Sequence, residues 1–312
     1  MSVQPEIVVI GSLNADLVQN VDRLPKPGET VVGGNLETFS GGKGANQAYA
    51  AGRMGARVRM IGQVGSDSLA SLLLDSLRSA GVNTDSVGAA EMSTGAAVIL
   101  VLPDGENLIV ISPGANATVT PALAAEKLGG LGERAFVLSQ LEIPTESVRE
   151  SLAVAKGRGA TTILDPAPAR ALPGEVLRNV DFLTPNETET AALLGEPGLA
   201  LDTDSDLETA ARRILALGPG TAVLKLGARG CLIVSERDSL RVPGFKVVPV
   251  DTTAAGDVFN AAFATGLAEG RTLEAAARFA NAAAALSVTR PGAQNSVPSR
   301  RQVDRFLKEP GG

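Results

Sequence analysis

The 312-residue sequence has no histidine, no tryptophan and only one cysteine, Cys231. Without histidine, the chain cannot build a histidine-dependent catalytic triad or an ordinary zinc site. The single cysteine excludes an internal disulfide, fits a reducing compartment and lies in a strand-like apolar run where we expect it to be buried. Any catalysis must therefore depend on carboxylates, amides, hydroxyls, lysine, arginine and the backbone.

Three other features are missing, and each excludes a class of partner or location. The net charge is −6 with no run of lysine and arginine and a single tyrosine, so we expect no nucleic-acid partner. Apolar runs end well before the roughly 18 residues that a membrane-spanning helix needs, so we expect no membrane partner. Residues 1–6 lack the positive charge and apolar run of a secretory signal, which makes the cytoplasm the expected location.

Short β-branched runs alternate with Ala/Leu-rich segments of helical period along the chain. The strand-like runs are 6–11, 58–62, 136–139, 161–165, 181–183 and 222–226, and the helical segments include 46–54, 68–80, 145–156 and 207–217. This alternation predicts an α/β fold with a mostly parallel sheet. Ligands of such folds bind beyond the carboxyl ends of the strands.

Two segments, 15–39 and 94–111, interrupt this alternation. The first alternates apolar and polar residues without a long helix. The second contains a Pro103-Asp104-Gly105 turn between two apolar runs, which predicts a β-hairpin. We interpret residues 1–312 as a single catalytic domain, into which these two segments insert a small β-sheet that acts as a lid over the ligand edge.

Residues 251–257, Asp-Thr-Thr-Ala-Ala-Gly-Asp, carry the strongest chemical signal. They follow a strand-like run at 246–250 and precede an apolar helical segment. Small residues let a phosphate approach the backbone, where the N–H groups of a first helical turn bind its oxygens. Asp257 would be held ionised by the helix dipole and could accept a proton from an attacking hydroxyl. Alternatively, Asp257 is only a helix cap.

Two further motifs offer polar groups next to predicted element ends. Residues 40–46, Ser-Gly-Gly-Lys-Gly-Ala-Asn, open a helical segment; they are not a Walker loop, because Lys43 is followed by glycine. Either a ligand-binding turn or a purely structural turn fits this motif. Asn14 and Asp16 follow the first strand and would share one side of an extended chain. Either the paired hydroxyls of a sugar or solvent fits them.

These motifs resemble the ribokinase family of carbohydrate and nucleoside kinases, and the resemblance extends over almost the whole chain. Four further segments share it: Gln-Leu-Glu at 140–142, Thr-Pro-Asn-Glu-Thr-Glu at 184–189, Leu-Gly-Ala-Arg-Gly at 226–230 and Val-Thr-Arg-Pro-Gly-Ala-Gln at 288–294. The resemblance implies a three-layer α/β/α domain with a small β-sheet lid. It also implies ATP-dependent phosphorylation of a sugar, with the 5-hydroxyl of D-ribose favoured. A fructokinase, deoxyribose kinase or nucleoside kinase is the nearest alternative. A sugar-binding regulator without catalysis and an NAD-dependent oxidoreductase are more distant ones.

The resemblance also assigns roles to individual residues. The base is Asp257, and the anion hole is the backbone of Ala254, Ala255 and Gly256. The sugar contacts are Asn14, Asp16, Gly42, Lys43, Gly44, Ala45, Asn46, Glu142 and Asp257. The nucleotide contacts are Asn186, Glu189, Lys225, Leu226, Gly227, Ala228, Arg229, Gly230, Gly256 and Asn281.

Metal ions and a second subunit complete what the resemblance implies. Asn186 and Glu189 are linked to Mg²⁺ and to phosphate positioning, with the contact to the ion made through water, because Mg²⁺ usually keeps several of its waters. A monovalent cation, K⁺, has oxygen ligands from Asp251, Thr253, Ser287, Arg290, Gly292 and Ser296. The expected assembly is a homodimer joined through the lid. The chain departs from the family at Lys225, where a small hydroxyl residue is common, and at Asn281, where histidine is common.

Overall fold

A nine-stranded sheet forms the centre of the protein; the structure, a computed structural model, describes residues 5–132 and 134–309. In order along the chain, the strands are β1 (Glu6–Ile10), β2 (Asn14–Asn20), β3 (Leu36–Gly41), β4 (Arg57–Val64), β5 (Asn83–Ala89), β6 (Gly95–Val101), β7 (Asn107–Ser112), β8 (Phe136–Ser139), β9 (Thr161–Leu164), β10 (Phe182–Leu183), β11 (Thr221–Lys225), β12 (Cys231–Ser235) and β13 (Ser239–Val242). The large sheet has the order β13-β12-β11-β10-β9-β8-β1-β4-β5. Its pairs are parallel except β11–β12 and β12–β13.

Helices cover both faces of this sheet. They are α1 (Lys43–Arg53), α2 (Ser68–Ser79), α3 (Pro121–Lys127), α4 (Thr145–Gly157), α5 (Gly174–Leu177), α6 (Glu187–Leu193), α7 (Asp204–Leu215), α8 (Ala255–Ala268), α9 (Leu273–Ser287) and α10 (Arg300–Phe306). Strand β1 shows the layering directly, because successive side chains of a strand point to opposite faces. Ile7 and Val9 pack in the core cluster of α1, α2, α8 and α9, whereas Val8 and Ile10 pack in that of α4 and α7. The predicted three-layer α/β/α class is confirmed.

The smaller sheet has the strand order β3-β2-β6-β7. Strands β6 and β7 are antiparallel around the turn at 102–106, as the Asp-Gly signal indicates. Strand β2 pairs antiparallel with β3 and parallel with β6. All six residues of β7 are exposed, and they include the consecutive apolar side chains of residues 108–111. We refer to these four strands as the small sheet.

One expected strand is absent from the described structure: residues 246–250 form no strand. Their β-branched residues favoured one, but Val248 and Val250 are 83% and 65% exposed, so no sheet buries them. Pro249 also has no N–H to donate to a neighbouring strand. The segment instead runs irregularly from the end of β13 towards α8.

Within residues 5–132 and 134–309, no helix combines the length and the apolar character needed to cross a lipid bilayer.

Candidate active site

The first turns of α1 and α8 meet at Asp257. Before α8, Ala254 adopts a left-handed φ of 59°, which turns the chain into the helix. Asp257 is buried, and its Oδ2 accepts a hydrogen bond from Asn46 Nδ2 at 3.2 Å, while its Oδ1 accepts one from Gln47 Nε2 at 3.1 Å. The N-cap position of α8 is Ala254. The simple cap interpretation of Asp257 is therefore wrong, and its carboxylate is held by α1.

The electrostatics of Asp257 differ from the sequence-based expectation. Burial raises the pKa of its carboxyl to about 6, Lys43 opposes this, and Asp165 adds to it. The helix dipole does not hold the pKa low, because removing a carboxylate from water disfavours its charged form more strongly. A carboxyl with this pKa is mostly ionised at pH 7 yet close to the pKa that suits a general base.

The motif at 40–46 folds tightly against the loop after β1. Gly42 has a φ of 86°, and a Cβ atom there would lie 2.6 Å from the backbone nitrogen of Asn14. Asn14 is paired in register with both Gly41 and Gly95, at the level where the small sheet joins the large domain. Asn14 Oδ1 accepts from Asn116 Nδ2 at 2.7 Å. The structure thus brings Asn14 next to the Lys43 end of α1.

Gly44 and Ala45, which belong to the predicted sugar-binding set, use their backbone N–H groups within the protein itself. Gly44 N donates to Ser12 Oγ at 3.3 Å, and Ala45 N donates to Ser12 O at 2.9 Å. These two residues therefore hold α1 against the end of β1, and their N–H groups are not open to a sugar. The assignment of Gly44 and Ala45 to the sugar site stays a prediction, which other atoms of these residues would have to fulfil.

Carboxylates act on both the backbone and the charge of Lys43. Glu142 Oε2 accepts from Ser12 Oγ at 2.6 Å and from Lys43 N at 3.0 Å. Burial works against the charge on Lys43, but the carboxylates of Asp257, Asp165 and Glu142 outweigh it and raise the lysine pKa. Among the described residues, no carboxylate oxygen lies within ion-pair distance of Lys43 Nζ. This charged group is available to a ligand.

Asp16 faces the same region from strand β2. A Cβ atom on Gly41 would lie 2.2 Å from Asp16 Oδ2, so the carboxylate rests directly over that glycine. Burial, followed by the charges of Glu142 and Asp257, raises the pKa of Asp16 to about 6. Carboxylates and amides with spare acceptor and donor capacity are the groups that fix sugar hydroxyls.

A cavity of about 650 Å³ opens on the other side of the α8 N-terminus. Its lining includes Asn186, Lys225, Gly227, Ala228, Gly230, Ala255, Gly256 and Asn281. The N–H groups of Gly256 and Asp257 have no acceptor within the described parts of the chain, as expected for a first helical turn. This end of the cavity is suited to binding phosphate oxygens.

Three residues of the predicted nucleotide set are not part of the cavity lining. Leu226 is 2% exposed and packs in the hydrophobic core. The guanidinium of Arg229 turns away to Glu187 at 2.6 Å and to the carbonyl of Leu201 at 3.1 Å. Glu189 forms a capping box with Asn186, accepting from Asn186 N at 2.7 Å and from Asn186 Nδ2 at 2.9 Å. Its carboxylate oxygens are thus already hydrogen-bonded.

Lys225, at the end of β11, joins the cavity to the base. Its Nζ lies 2.8 Å from Asp165 Oδ1 and 3.8 Å from Glu189 Oε2, and 3.3 Å from where a Cβ atom on Gly256 would be. Burial disfavours its charge, but Asp165 and Glu189 prevail and raise its pKa. Asp165 Oδ2 also accepts from Gln47 Nε2 at 3.0 Å. A continuous polar network therefore runs from Lys225 to Asp257.

The residues predicted to hold a monovalent cation are partly assembled by Asp251. Its Oδ1 accepts from Thr253 N at 2.8 Å and its Oδ2 from Gly292 N at 2.7 Å, which ties the loop after α9 to the start of the anion hole. Ser296 Oγ donates to Ala293 O at 2.8 Å, and Ser287 O accepts from Arg290 N at 3.2 Å. Within the described ranges, no three acidic or cysteine side chains cluster as a metal site. Carbonyl and hydroxyl oxygens are hard ligands, and carbonyl oxygens can replace the hydration shell of K⁺.

Several residues that build the site were not assigned to it by sequence. Gln140 Nε2 donates to Gln47 Oε1 at 2.7 Å and so supports the amide that reaches Asp257. Gln140 and Asp165 directly follow β8 and β9. The rule that ligands gather at the carboxyl ends of parallel strands was the signal that could have found both. The same rule points to Ser12, two residues after β1, whereas Asn116 had no such signal.

A buried carboxylate beside a helix N-terminus that suits phosphate, with a cavity of about 650 Å³ leading from it on an α/β domain, is the arrangement of a phosphotransferase. The model of the pfkB family carbohydrate kinases matches residues 4–300. The chain belongs to this family and is an ATP-dependent sugar kinase. The predicted family is confirmed, and the oxidoreductase alternative is wrong.

Individual relatives match over nearly their full length. The ribokinase of Bacillus subtilis (strain 168) is 42% identical over 301 residues, which cover 96% of this chain and 99% of that protein. The deoxyribokinase of Salmonella typhimurium is 36% identical over 304 residues, covering 97% and 98%. The structure of Arabidopsis thaliana ribokinase complexed with ribose and ATP superimposes with a TM-score of 0.90 at 34% identity, covering 99% of this chain and 100% of that one.

Proposed function

We propose that this kinase transfers the γ-phosphoryl group of ATP to the 5-hydroxyl of D-ribose, giving ribose 5-phosphate and ADP. The observation that carries the proposal is the position of Asp257. Its carboxylate is held by Asn46 and Gln47 between the Lys43 region and the unpaired N–H groups of α8. The choice of ribose is supported by the similarity to ribokinases.

In the proposed reaction, the sugar hydroxyl gives its proton to Asp257 as its oxygen attacks the γ-phosphorus. A new oxygen–phosphorus bond forms, and the bond between the γ-phosphorus and the β,γ-bridging oxygen breaks to release ADP. The N–H groups of Gly256 and Asp257 stabilise the charge on the transferring group, which is the main requirement of phosphoryl transfer. Lys43 and Lys225 add positive charge on either side.

The proposed cofactors are Mg²⁺ and K⁺. Mg²⁺ would supply charge neutralisation at the phosphates, and it would contact Asn186 and Glu189 through water, because the Glu189 carboxylate is already used in the capping box. K⁺ would lie among the oxygens around Asp251 and the loop at 287–296, next to the anion hole.

A panel of sugars tests the choice of substrate. Initial rates with ribose, deoxyribose, fructose and adenosine at saturating ATP give kcat/KM for each, and the product mass and phosphorylated position identify the reaction. Ribose is expected to give the highest kcat/KM. A higher value for deoxyribose would replace the proposed substrate, whereas no ATP turnover with any acceptor would favour a binding regulator.

Replacing Asp16 by alanine is expected to weaken use of the sugar while ATP binding stays nearly unchanged. A hydrogen bond to a charged group is worth about 1.5–3 kcal/mol, so kcat/KM for ribose should fall by roughly 10- to 150-fold. Steady-state kinetics and ATP titration measure the two effects. Glu37→Ala, which removes an exposed carboxylate from neighbouring β3, is the matched control and should retain normal kinetics. Unchanged sugar kinetics in the Asp16 variant would remove Asp16 from the site.

Exchanging Na⁺ for K⁺ at constant ionic strength is expected to raise activity. Asp251 links the loop after α9 to Thr253, so a cation held by this loop would steady the adjoining anion hole. The larger ion suits a cage rich in carbonyl oxygens. Rates are measured in both salts with Mg²⁺ saturating. Equal rates would leave the loop a purely structural role.

We also propose a homodimer that forms through the small sheet. The support is the exposure of β7, where Ile109, Val110 and Ile111 are 53%, 70% and 49% exposed. An apolar strand of this kind at a sheet edge invites pairing with another chain. The expected cytoplasmic location likewise stays a prediction.

A further inference from the structure

A chain of side-chain hydrogen bonds reaches Asp257 from the loop that follows α9. Gln294 lies in a 3₁₀ turn, Gln294–Ser296, and is 5% exposed. Its Nε2 donates to Asn46 Oδ1 at 3.3 Å, and Asn46 Nδ2 donates to Asp257 Oδ2 at 3.2 Å. At the far end, Ser76 Oγ donates to Gln294 Oε1 at 2.6 Å. Four side chains from separate segments therefore form one continuous chain that ends on the base.

The direction of every bond in this chain follows from its last member. An ionised carboxylate only accepts hydrogen bonds, so Asn46 has to present its NH₂ group to Asp257. The Oδ1 atom of Asn46 then faces away and needs a donor, which Gln294 provides. Gln294 Oε1 in turn accepts from the Ser76 hydroxyl. The orientation of the Asn46 amide is thus fixed from outside the catalytic segment.

We propose that Gln294 is a positioning residue for phosphoryl transfer, because it holds the Asn46 amide in the orientation that donates to Asp257. This inference rests on the proposed function, in which Asp257 is the base and Asn46 contacts the sugar. Gln294 itself touches neither reactant. Without its amide, Asn46 is free to rotate, and both a contact to the base and a contact to the sugar are loosened.

The chain also bears on the ionisation of the base. A carboxylate that loses a hydrogen-bond donor is harder to ionise, so its pKa rises. The charged groups that face Asp257 from the surrounding elements are Lys43 on α1, Asp165 after β9, Asp16 on β2 and Lys225 on β11. Gln294 is hydrogen-bonded to none of them, so a substitution there changes the base through Asn46.

The test is Gln294→Met, which keeps the length of the side chain and removes the donor. A cavity of about 330 Å³ beside Gln294 and Ser76 leaves room for the thioether. We expect kcat to fall roughly tenfold, the lower end for losing a hydrogen bond that acts on a charged group. The acid limb of the kcat/KM profile should move to higher pH, while KM for ATP stays unchanged. The control, Thr38→Met, places a methionine at an exposed residue of β3 that lines the same cavity, and it should be normal.

A packing role for Gln294 predicts different results. It would lower Tm in Gln294→Met but leave kcat and the pH profile as in the wild type, and that result overturns the proposal. If the methionine variant does not fold, Gln294→Glu is measured at pH 8, where its ionised carboxylate can only accept; wild-type turnover there also overturns it. All rates are measured with the sugar that the wild type phosphorylates best. An error in the proposed preference for ribose is detected by the panel of sugars and does not affect this test.

Discussion

Replacing Asp257 by asparagine is expected to lower kcat by about 10²- to 10⁴-fold, the usual contribution of a positioned general base. Asparagine has nearly the same size but cannot take the proton of the attacking hydroxyl. Its NH₂ group would also face Asn46 or Gln47, which both donate to this position, so one of those bonds is lost. The variant also removes a buried charge, which offsets the loss of that hydrogen bond. The fold and the ATP affinity should therefore change little. Steady-state kinetics, ATP titration and Tm are measured on one preparation.

The matched control for this change is Asp67→Asn. Asp67 is the N-cap of α2, where its carboxylate accepts from Ala70 N at 3.0 Å. The Asp67→Asn variant has the same chemical replacement at a helix start outside the proposed site, and we expect its kcat to be normal. In the wild type, kcat/KM should fall as the pH drops through about 6, since the protonated Asp257 carboxyl cannot act as a base. Near-normal turnover of the Asp257 variant would contradict the proposed base.

Replacing Lys225 by methionine is expected to lower the free energy of unfolding by about 3–5 kcal/mol, the usual cost of removing one partner from a buried ion pair. The change leaves the carboxylates of Asp165 and Glu189 buried without their cation, 3% and 8% exposed. ATP affinity should fall as well, because Nζ lies next to Gly256 at the phosphate end of the cavity. Chemical denaturation and ATP titration measure the two losses.

Two further variants distinguish the effect of unpaired buried charges from a general loss of stability. Lys246→Met removes an exposed lysine from the wall of the same cavity and should leave stability unchanged. Adding Asp165→Asn to Lys225→Met should restore part of the lost stability, because it removes one of the uncompensated charges. A double variant that loses the sum of both single effects would show that the Lys225–Asp165 pair does not act as a unit.

Local patterns were sufficient to predict most of the fold. The apolar run at 136–139 is strand β8, and the Asp-Gly turn at 104–105 does join the two strands of a hairpin. Both signals concern neighbouring residues, which is why they could be recognised. The run at 246–250 led to the wrong prediction of a strand, because β-propensity shows only that a segment suits a sheet. Whether a neighbouring strand is present to pair with it depends on the tertiary fold.

The candidate site was predicted in its main features but not in its supporting contacts. Asp257 and Asn46 belong to motifs that can be read from sequence, yet the bond between them joins residues 211 positions apart. Gln47, Gln140 and Asp165 act through contacts of this long-range kind. The pKa of Asp257 was misjudged for a related reason. Helix position can be read from sequence, whereas depth of burial requires the packed structure.

The attachment of the small sheet has a mechanical consequence for turnover. Asn14 begins β2 and is paired with the last residue of β3 and the first residue of β6, so three strands leave the large domain along one line. We expect any swing of the small sheet to turn about this line, and Asn14, a proposed sugar contact, would then lie on the axis. A bound sugar would therefore resist swinging of the sheet, and opening of the sheet would loosen the sugar. Product escape and movement of the sheet would then be a single step, whose rate would limit kcat wherever it is slower than the chemistry.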